Sequence, residues 1–140
     1  MARIKLSIPE KLLFKTIIKV RITDINYGNH LGNDALVGIL HEARVQWLNS
    51  LSYTELDIDG IGLIMSDLAV EYKSESFAGD ELIIRIYLGE RSNVSFDLYY
   101  VVELQPSKLV ALGKTGMVCF NYKEKKVVHI PAALNEMLNS

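Results

Sequence analysis

Two different spacings of apolar residues divide this chain, and together they leave few folds open. Between residues 33 and 51, Leu36, Leu40, Ala43, Trp47 and Leu51 fall at i, i+4, i+7, i+11 and i+15, one stripe of an amphipathic helix about five turns long. Elsewhere the period is two. Phe14, Thr16, Ile18, Val20 and Ile22 alternate with Lys15, Ile17, Lys19 and Arg21, and Leu82, Ile84, Ile86 and Leu88 alternate with Glu81, Ile83, Arg85 and Tyr87. Val94, Phe96, Leu98, Tyr100, Val102 and Leu104 make a longer alternating face; Leu68, Val70 and Tyr72 a shorter one; residues 108–122 are β-rich but less regular. Half-buried antiparallel strands read this way, with one face on a core and the other wetter.

Turn residues fall in the gaps, at Gly79-Asp80, residues 89–93, Gln105-Pro106-Ser107 and the charge run Lys123-Glu124-Lys125-Lys126. Four consecutive strands after residue 61 are expected to pair as a meander, and a short helix to begin near Pro131. One long helix cannot cover both faces of such a sheet. The expected fold is therefore α+β, an antiparallel sheet wrapped around a long central helix, with an edge or face left for a partner subunit.

With 140 residues, 49% of them hydrophobic, the chain matches one compact domain spanning 1–140. The net charge is −2 and the basic residues are dispersed, which argues against a nucleic-acid partner. No run approaches the roughly 18 apolar residues needed to span a bilayer, and the first residues have no signal-peptide character. Cys119 is the only cysteine, so no internal disulfide forms, and a reducing cytoplasm is the expected location.

Residues 24–34 read Asp24-Ile25-Asn26-Tyr27-Gly28-Asn29-His30-Leu31-Gly32-Asn33-Asp34, a polar loop between a strand and a helix start. Asn33 or Asp34 is expected to cap the first helical amides. The unpaired amides around Gly32–Ala35 would point at whatever sits before them, and such donors suit the oxyanion of an attacked thioester carbonyl.

This loop, followed by Glu42-Ala43-Arg44, resembles the 4-hydroxybenzoyl-CoA thioesterase-like branch of the hot-dog superfamily, whose pattern is roughly D-x-D-x-x-G-H-x-N-N and then E-A-R. Val70-Glu71-Tyr72, Gly79-Asp80-Glu81-Leu82, Lys114-Thr115-Gly116 and Cys119-Phe120 extend the resemblance over residues 14–131. It implies an acyl-CoA or acyl-carrier-protein thioesterase acting at a subunit interface of a homodimer or homotetramer. Neither metal nor cofactor is implied, coenzyme A entering only as part of the substrate. It also implies a substrate site at Tyr27, Gly28, Asn29, His30, Gly32, Asn33 and Asp34.

The sequence departs from the pattern at one decisive place. The second aspartate of D-x-D, the family's usual catalytic carboxylate, is Asn26 here, and the glycine no longer adjoins the histidine. An amide cannot serve as base or nucleophile, though it can orient water or substrate. Asp24, Glu42 and Asp34 are the candidate bases, with Asp67 reaching from a partner subunit as a further option. On a helical wheel Glu42 lies about 140° from the centre of the apolar stripe. The alternative function is a module that binds an acyl thioester without hydrolysing it. His41 has no second histidine at zinc-site spacing, Cys119 has no recognisable base, and Trp47 belongs to the helix's core stripe.

Overall fold

In the computed structural model, which describes residues 2–104 and 108–140, the two periods separate into one long helix and one sheet. Strand β1 (Lys11–Lys19) leads through a 3-10 turn (Ile22–Asp24) to helix α1 (Asn33–Ser50). Strands β2 (Gly62–Tyr72), β3 (Glu81–Arg91), β4 (Ser95–Leu104), β5 (Lys108–Asn121) and the two-residue β6 (Lys126–Val127) follow, then helix α2 (Ala132–Asn139). The turn expected at Gln105-Pro106-Ser107 lies outside the described residues.

The strands pair antiparallel in the order β1-β3-β4-β5-β2, with β6 beside β5. This corrects the expected four-strand meander: only β3, β4 and β5 run as one. Strand β2 lies at the far edge, in register with β5 from Gly62↔Phe120 to Tyr72↔Ala111. The link formed by residues 73–80 has no two-residue turn that would fold β3 back onto β2. It passes the start of α1 instead, where the Ser76 carbonyl accepts the Leu31 N–H at 2.8 Å.

The core forms between α1 and one face of the sheet. The stripe residues Leu36, Leu40, Ala43 and Trp47 are buried there with Leu82, Ile84, Ile86, Phe96, Leu98, Tyr100 and Val102, and Leu134 and Leu138 of α2 join them. Trp47 meets Phe96 edge-to-face at 6.2 Å between ring centroids, a favoured aromatic geometry. The alternate residues face outward, where Lys15 is exposed and Arg85 is ion-paired with Glu103. Ile22 departs from its expected inward face. Strand β1 ends at Lys19, and Val20 pairs through its N–H with Asp80 and through its carbonyl with Gly79, which leaves Ile22 77% exposed in the 3-10 turn.

Arg44, the arginine of Glu-Ala-Arg, is buried. Its Nε donates to Glu55 Oε2 at 2.7 Å and its guanidinium to the Tyr100 hydroxyl at 3.1 Å; that hydroxyl also bonds Thr115 Oγ1 at 2.7 Å. His41 Nε2 meets the other Glu55 oxygen at 2.5 Å. One guanidinium thus ties α1 to the segment before β2 and to strands β4 and β5. Burial by itself pushes the Glu55 carboxyl up, but Arg44 and His41 outweigh it and hold the group below its ordinary value of 4.5. A lowered folded value means that Glu55 stabilises the fold fully above the unfolded value, and that this contribution is lost as pH falls through the folded one. Chemical denaturation followed from pH 7 to pH 3 is therefore expected to show a smaller loss of stability in Glu55→Gln than in wild type.

Candidate active site

Residues 25–31 close into a small hairpin. Ile25 and Leu31 form an isolated bridge, the Asn26 N–H donates to the His30 carbonyl at 2.9 Å, and the Asn29 N–H donates to the Asn26 carbonyl at 3.0 Å. Asn29 takes φ +70°, a conformation asparagine tolerates better than most residues. The Asn26 Oδ1 accepts the Gly28 N–H at 2.9 Å. A Cβ on Gly28 would come within 3.3 Å of both Asn26 Oδ1 and His30 Nε2, so these two side chains converge on the space that glycine leaves open.

Asp24 is buried beneath this hairpin and fully engaged. Its carboxylate accepts the Arg21 backbone N–H at 2.9 Å and the guanidinium at 3.1 Å, and its carbonyl accepts the Gly32 N–H at 3.0 Å. Burial raises the carboxyl, while the hydrogen bonds and charge of Arg21 more than compensate and bring it below the ordinary range. Asp24 is a stable anion that anchors both ends of the loop.

The start of α1 differs from the expected capping. Gly32 is the N-cap, in extended geometry, and no side chain caps the helix. Asn33 and Asp34 lie one and two positions too far along: both are already helical, so their side chains cannot fold back as N-caps. The first helical bond runs from Leu36 N–H to the Gly32 carbonyl. The amides of Asn33, Asp34 and Ala35 have no acceptor among the described residues.

Two cavities flank the helix start, one lined by Asn33 and the other by Asp34 and Ala35. The smaller, about 250 Å³, is lined by His30, Leu31, Asn33, Leu36, Glu75 and Ser76 among others. His30 Nδ1 lies 3.2 Å from the Leu31 carbonyl, and Nε2 lies 3.8 Å from Glu75 Oε1. A carbonyl can only accept, so the neutral ring carries its proton on Nδ1 and leaves the Nε2 lone pair free. Glu75 was not a sequence candidate. It lies in the aperiodic link 73–80, and only the crossover of β2 to the far edge brings that link beside His30.

The larger cavity, about 720 Å³, is lined by Asp24, Asp34, Glu42, Arg21, Gln46 and neighbouring residues. Asp34 has no ion-pair partner among the described residues. Glu42 is exposed, as its wheel position predicted, and accepts a bond from Gln46 Nε2 at 2.8 Å. Nine residues separate it from Asn33, about 13 Å along the axis, so within one chain it does not reach the free amides. Tyr27 and Asn29 sit exposed at the hairpin tip.

Asp67 is held by Lys114 Nζ at 2.8 Å and by the Gly116 N–H at 2.8 Å. Cys119 is buried, and burial pushes its thiol up to about 11, so it stays protonated at neutral pH. The native protein is accordingly expected to react with a disulfide reagent far more slowly than the denatured chain, as measured by the release of the reagent's chromophore.

The sheet, its central helix and the polar hairpin at the helix start define the hot-dog fold. The chain belongs to the thioesterase-like superfamily, whose family model matches residues 20–138. It is similar to the structure of a 1,4-dihydroxy-2-naphthoyl-CoA thioesterase from Synechocystis, at 19% identity and TM-score 0.83 over 91% of this chain and 96% of that one. A DHNA-CoA thioesterase from Staphylococcus aureus is similar at 18% identity and TM-score 0.81, over 89% of this chain and 87% of that one. A third structure, of a Staphylococcus aureus protein in complex with CoA, shares 14% identity at TM-score 0.81, over 96% of this chain and 86% of that one. At these identities the likeness establishes the fold. No curated protein matches the chain in sequence. Among the described residues no helix is long and apolar enough to cross a membrane.

Proposed function

We propose that the protein hydrolyses acyl thioesters of coenzyme A or of acyl carrier protein, with the thioester carbonyl seated on the free amides of Asn33 and Asp34. The observation that carries this reading is the uncapped start of α1 opening into the cavity that holds His30 and Glu75. His30 Nε2 takes a proton from water as the water oxygen attacks the carbonyl carbon. The electron pair moves onto the carbonyl oxygen, where the helix-start amides stabilise it. Collapse re-forms the carbonyl and expels the thiolate, which recovers the proton from the imidazolium. At 3.8 Å Glu75 is too far for a hydrogen bond but close enough to stabilise that imidazolium without occupying the lone pair.

In this reading Asn26 orients water or substrate, Asp24 fixes the loop, and Gly28, Gly32 and Asn29 give the hairpin its tight path. Tyr27 and Asp34 contribute further contacts to the substrate. Glu42 joins the chemistry only if a partner subunit brings it to the site. The whole chain acts as one domain in the cytoplasm, as a homodimer or homotetramer. The free edge of β2 supports the assembly, since it presents Met65, Leu68 and Tyr72 to solvent with no strand beyond it among the described residues.

Release of free thiol from a panel of acyl-CoA and acyl-carrier-protein esters tests the proposal. Wild type is expected to turn over at least one chain length, with Asn26→Ala slower in kcat. Binding without turnover on every ester would instead support the second reading, a non-catalytic acyl-thioester module. The amide at the usual carboxylate position is the observation that favours that alternative.

A further inference from the structure

We infer that the cavity between α2 and the β3–β4 turn is a phosphate-binding site, separate from the thioester site proposed above. This cavity, about 500 Å³, has as its polar lining Arg91, Ser92, Asn93, His129, Asn135 and Asn139, and no aspartate or glutamate lines it. The 11 residues of β3, at ~3.3 Å each, separate it by roughly 30 Å from the link that holds Glu75. A register shift aims the arginine into it. Leu88 pairs with Leu98 but Arg91 pairs with Phe96, so β3 carries one residue more than β4 across this interval. The bulge puts Arg91 on the face of the sheet where Phe96 is buried and where α2 packs through Leu134 and Leu138. Without it, strict alternation would send Arg91 to the outer face with Arg85 and Tyr87.

The polarity of the lining decides what fits. Arg91 donates from its two terminal nitrogens to Oδ1 of Asn135 and of Asn139, and it joins no ion pair among the described residues. Its charge thus meets neutral acceptors only, and its other N–H groups stay unspent. A guanidinium has no acceptor, so both amide oxygens must face it, and each Nδ2 group is left as a donor. Among the described residues neither Nδ2 group nor the His129 ring has a hydrogen-bond partner. Ser92 Oγ is committed to the turn, where it accepts the Val94 and Ser95 N–H groups at 3.2 and 3.1 Å. The Ile130 N–H, donated to the Asn93 carbonyl at 2.9 Å, holds His129 against the same turn. The C-terminal end of α2 offsets about half a charge at most, and Lys11, which bonds the Leu138 carbonyl, already answers it. Donors around one uncompensated guanidinium complement the charge and acceptor oxygens of a phosphate. A volume of about 500 Å³ holds on the order of sixteen water-sized units at ~30 Å³ each, so a phosphate carried on a sugar or nucleoside fits as well as the free ion.

The test is isothermal titration calorimetry at constant ionic strength in chloride, with inorganic phosphate, glucose 6-phosphate and adenosine 5′-monophosphate. Wild type is expected to bind at least one of these saturably, and Arg91→Gln to weaken that binding by about tenfold or more. Arg91 also seats α2, so Asn135→Asp separates binding from folding. Aspartate keeps an acceptor for Arg91, and the melting temperature of this variant is expected to equal or exceed that of wild type. Its carboxylate replaces a donor and repels the phosphate, so binding is expected to weaken by about tenfold or more. A phosphomonoester bound about tenfold more tightly than inorganic phosphate identifies a ligand that carries its phosphate on a larger group, and closer affinities identify the free ion. No saturable binding of any of the three by wild type overturns the inference, as does binding that survives in both variants. Binding lost in Arg91→Gln together with a lowered melting temperature, but retained in Asn135→Asp, gives Arg91 a purely structural role and overturns it too.

Discussion

Replacing His30 with glutamine is expected to lower kcat for thioester hydrolysis by about 10²- to 10⁴-fold, the range general-base groups contribute, while KM changes little. The expectation follows from the ring's geometry. Nδ1 is committed to the Leu31 carbonyl, so the free lone pair faces Glu75 across 3.8 Å. Glutamine keeps polarity and approximate size but has no basic nitrogen. Glu75→Gln leaves the lone pair in place and removes only the charge that favours the imidazolium. It should therefore also act on kcat, with a smaller loss than His30→Gln. The carboxylates of the neighbouring cavity supply the control. Glu42→Ala is expected to stay within about threefold of wild type, because its carboxylate is exposed and lies two and a half turns from the free amides. A full-speed His30→Gln beside a dead Glu42→Ala would move the base to the larger cavity and require a partner subunit to deliver it.

Arg44→Ala is expected to have the largest effect on stability. The guanidinium is buried with two partners, the Glu55 carboxylate and the Tyr100 hydroxyl, and Tyr100 is itself fully buried. Removing one member of a buried pair strands the others, at a cost of about 3 kcal/mol or more. For a chain of this length that corresponds to a melting temperature lower by roughly 10 °C. A double replacement with apolar residues, Arg44→Met with Glu55→Leu, removes both charges and should recover part of the loss. Thermal unfolding of wild type and these two variants would settle this. If Arg44→Ala melts within a degree or two of wild type, the network does not hold α1 to the sheet.

These expectations rest on features that were unequally visible before the fold was known. The stripe from Leu36 to Leu51 identified α1 to within a residue, because an amphipathic period is written locally. The alternation at 82–88 and 94–104 likewise identified buried faces. Strand order is another matter: β2 could pair with β3 or with β5 on pattern alone, and only the path of residues 73–80 past the helix start decides it. Glu75 and Ser76 both lie in that link, so neither carried a local signal. That residues 25–32 form a polar loop leading into α1 was legible from its glycines and asparagines. The use each side chain makes of its polar atoms was not visible, because Asp24 turns toward Arg21 and Gly32 takes the cap position through contacts across the hairpin.

The account's central claim is that a thioester carbonyl sits on the amides opening α1, beside His30. A crystal structure with a non-hydrolysable acyl-CoA analogue, the thioester sulfur replaced by a methylene, tests it most directly. The predicted result places the carbonyl oxygen about 3 Å from the Asn33 or Asp34 N–H, the acyl group in the cavity with Leu31 and Leu36, and an ordered water between His30 Nε2 and the carbonyl carbon. An analogue seated beside Asp34 and Glu42 in the larger cavity, with its carbonyl away from the helix start, would contradict it.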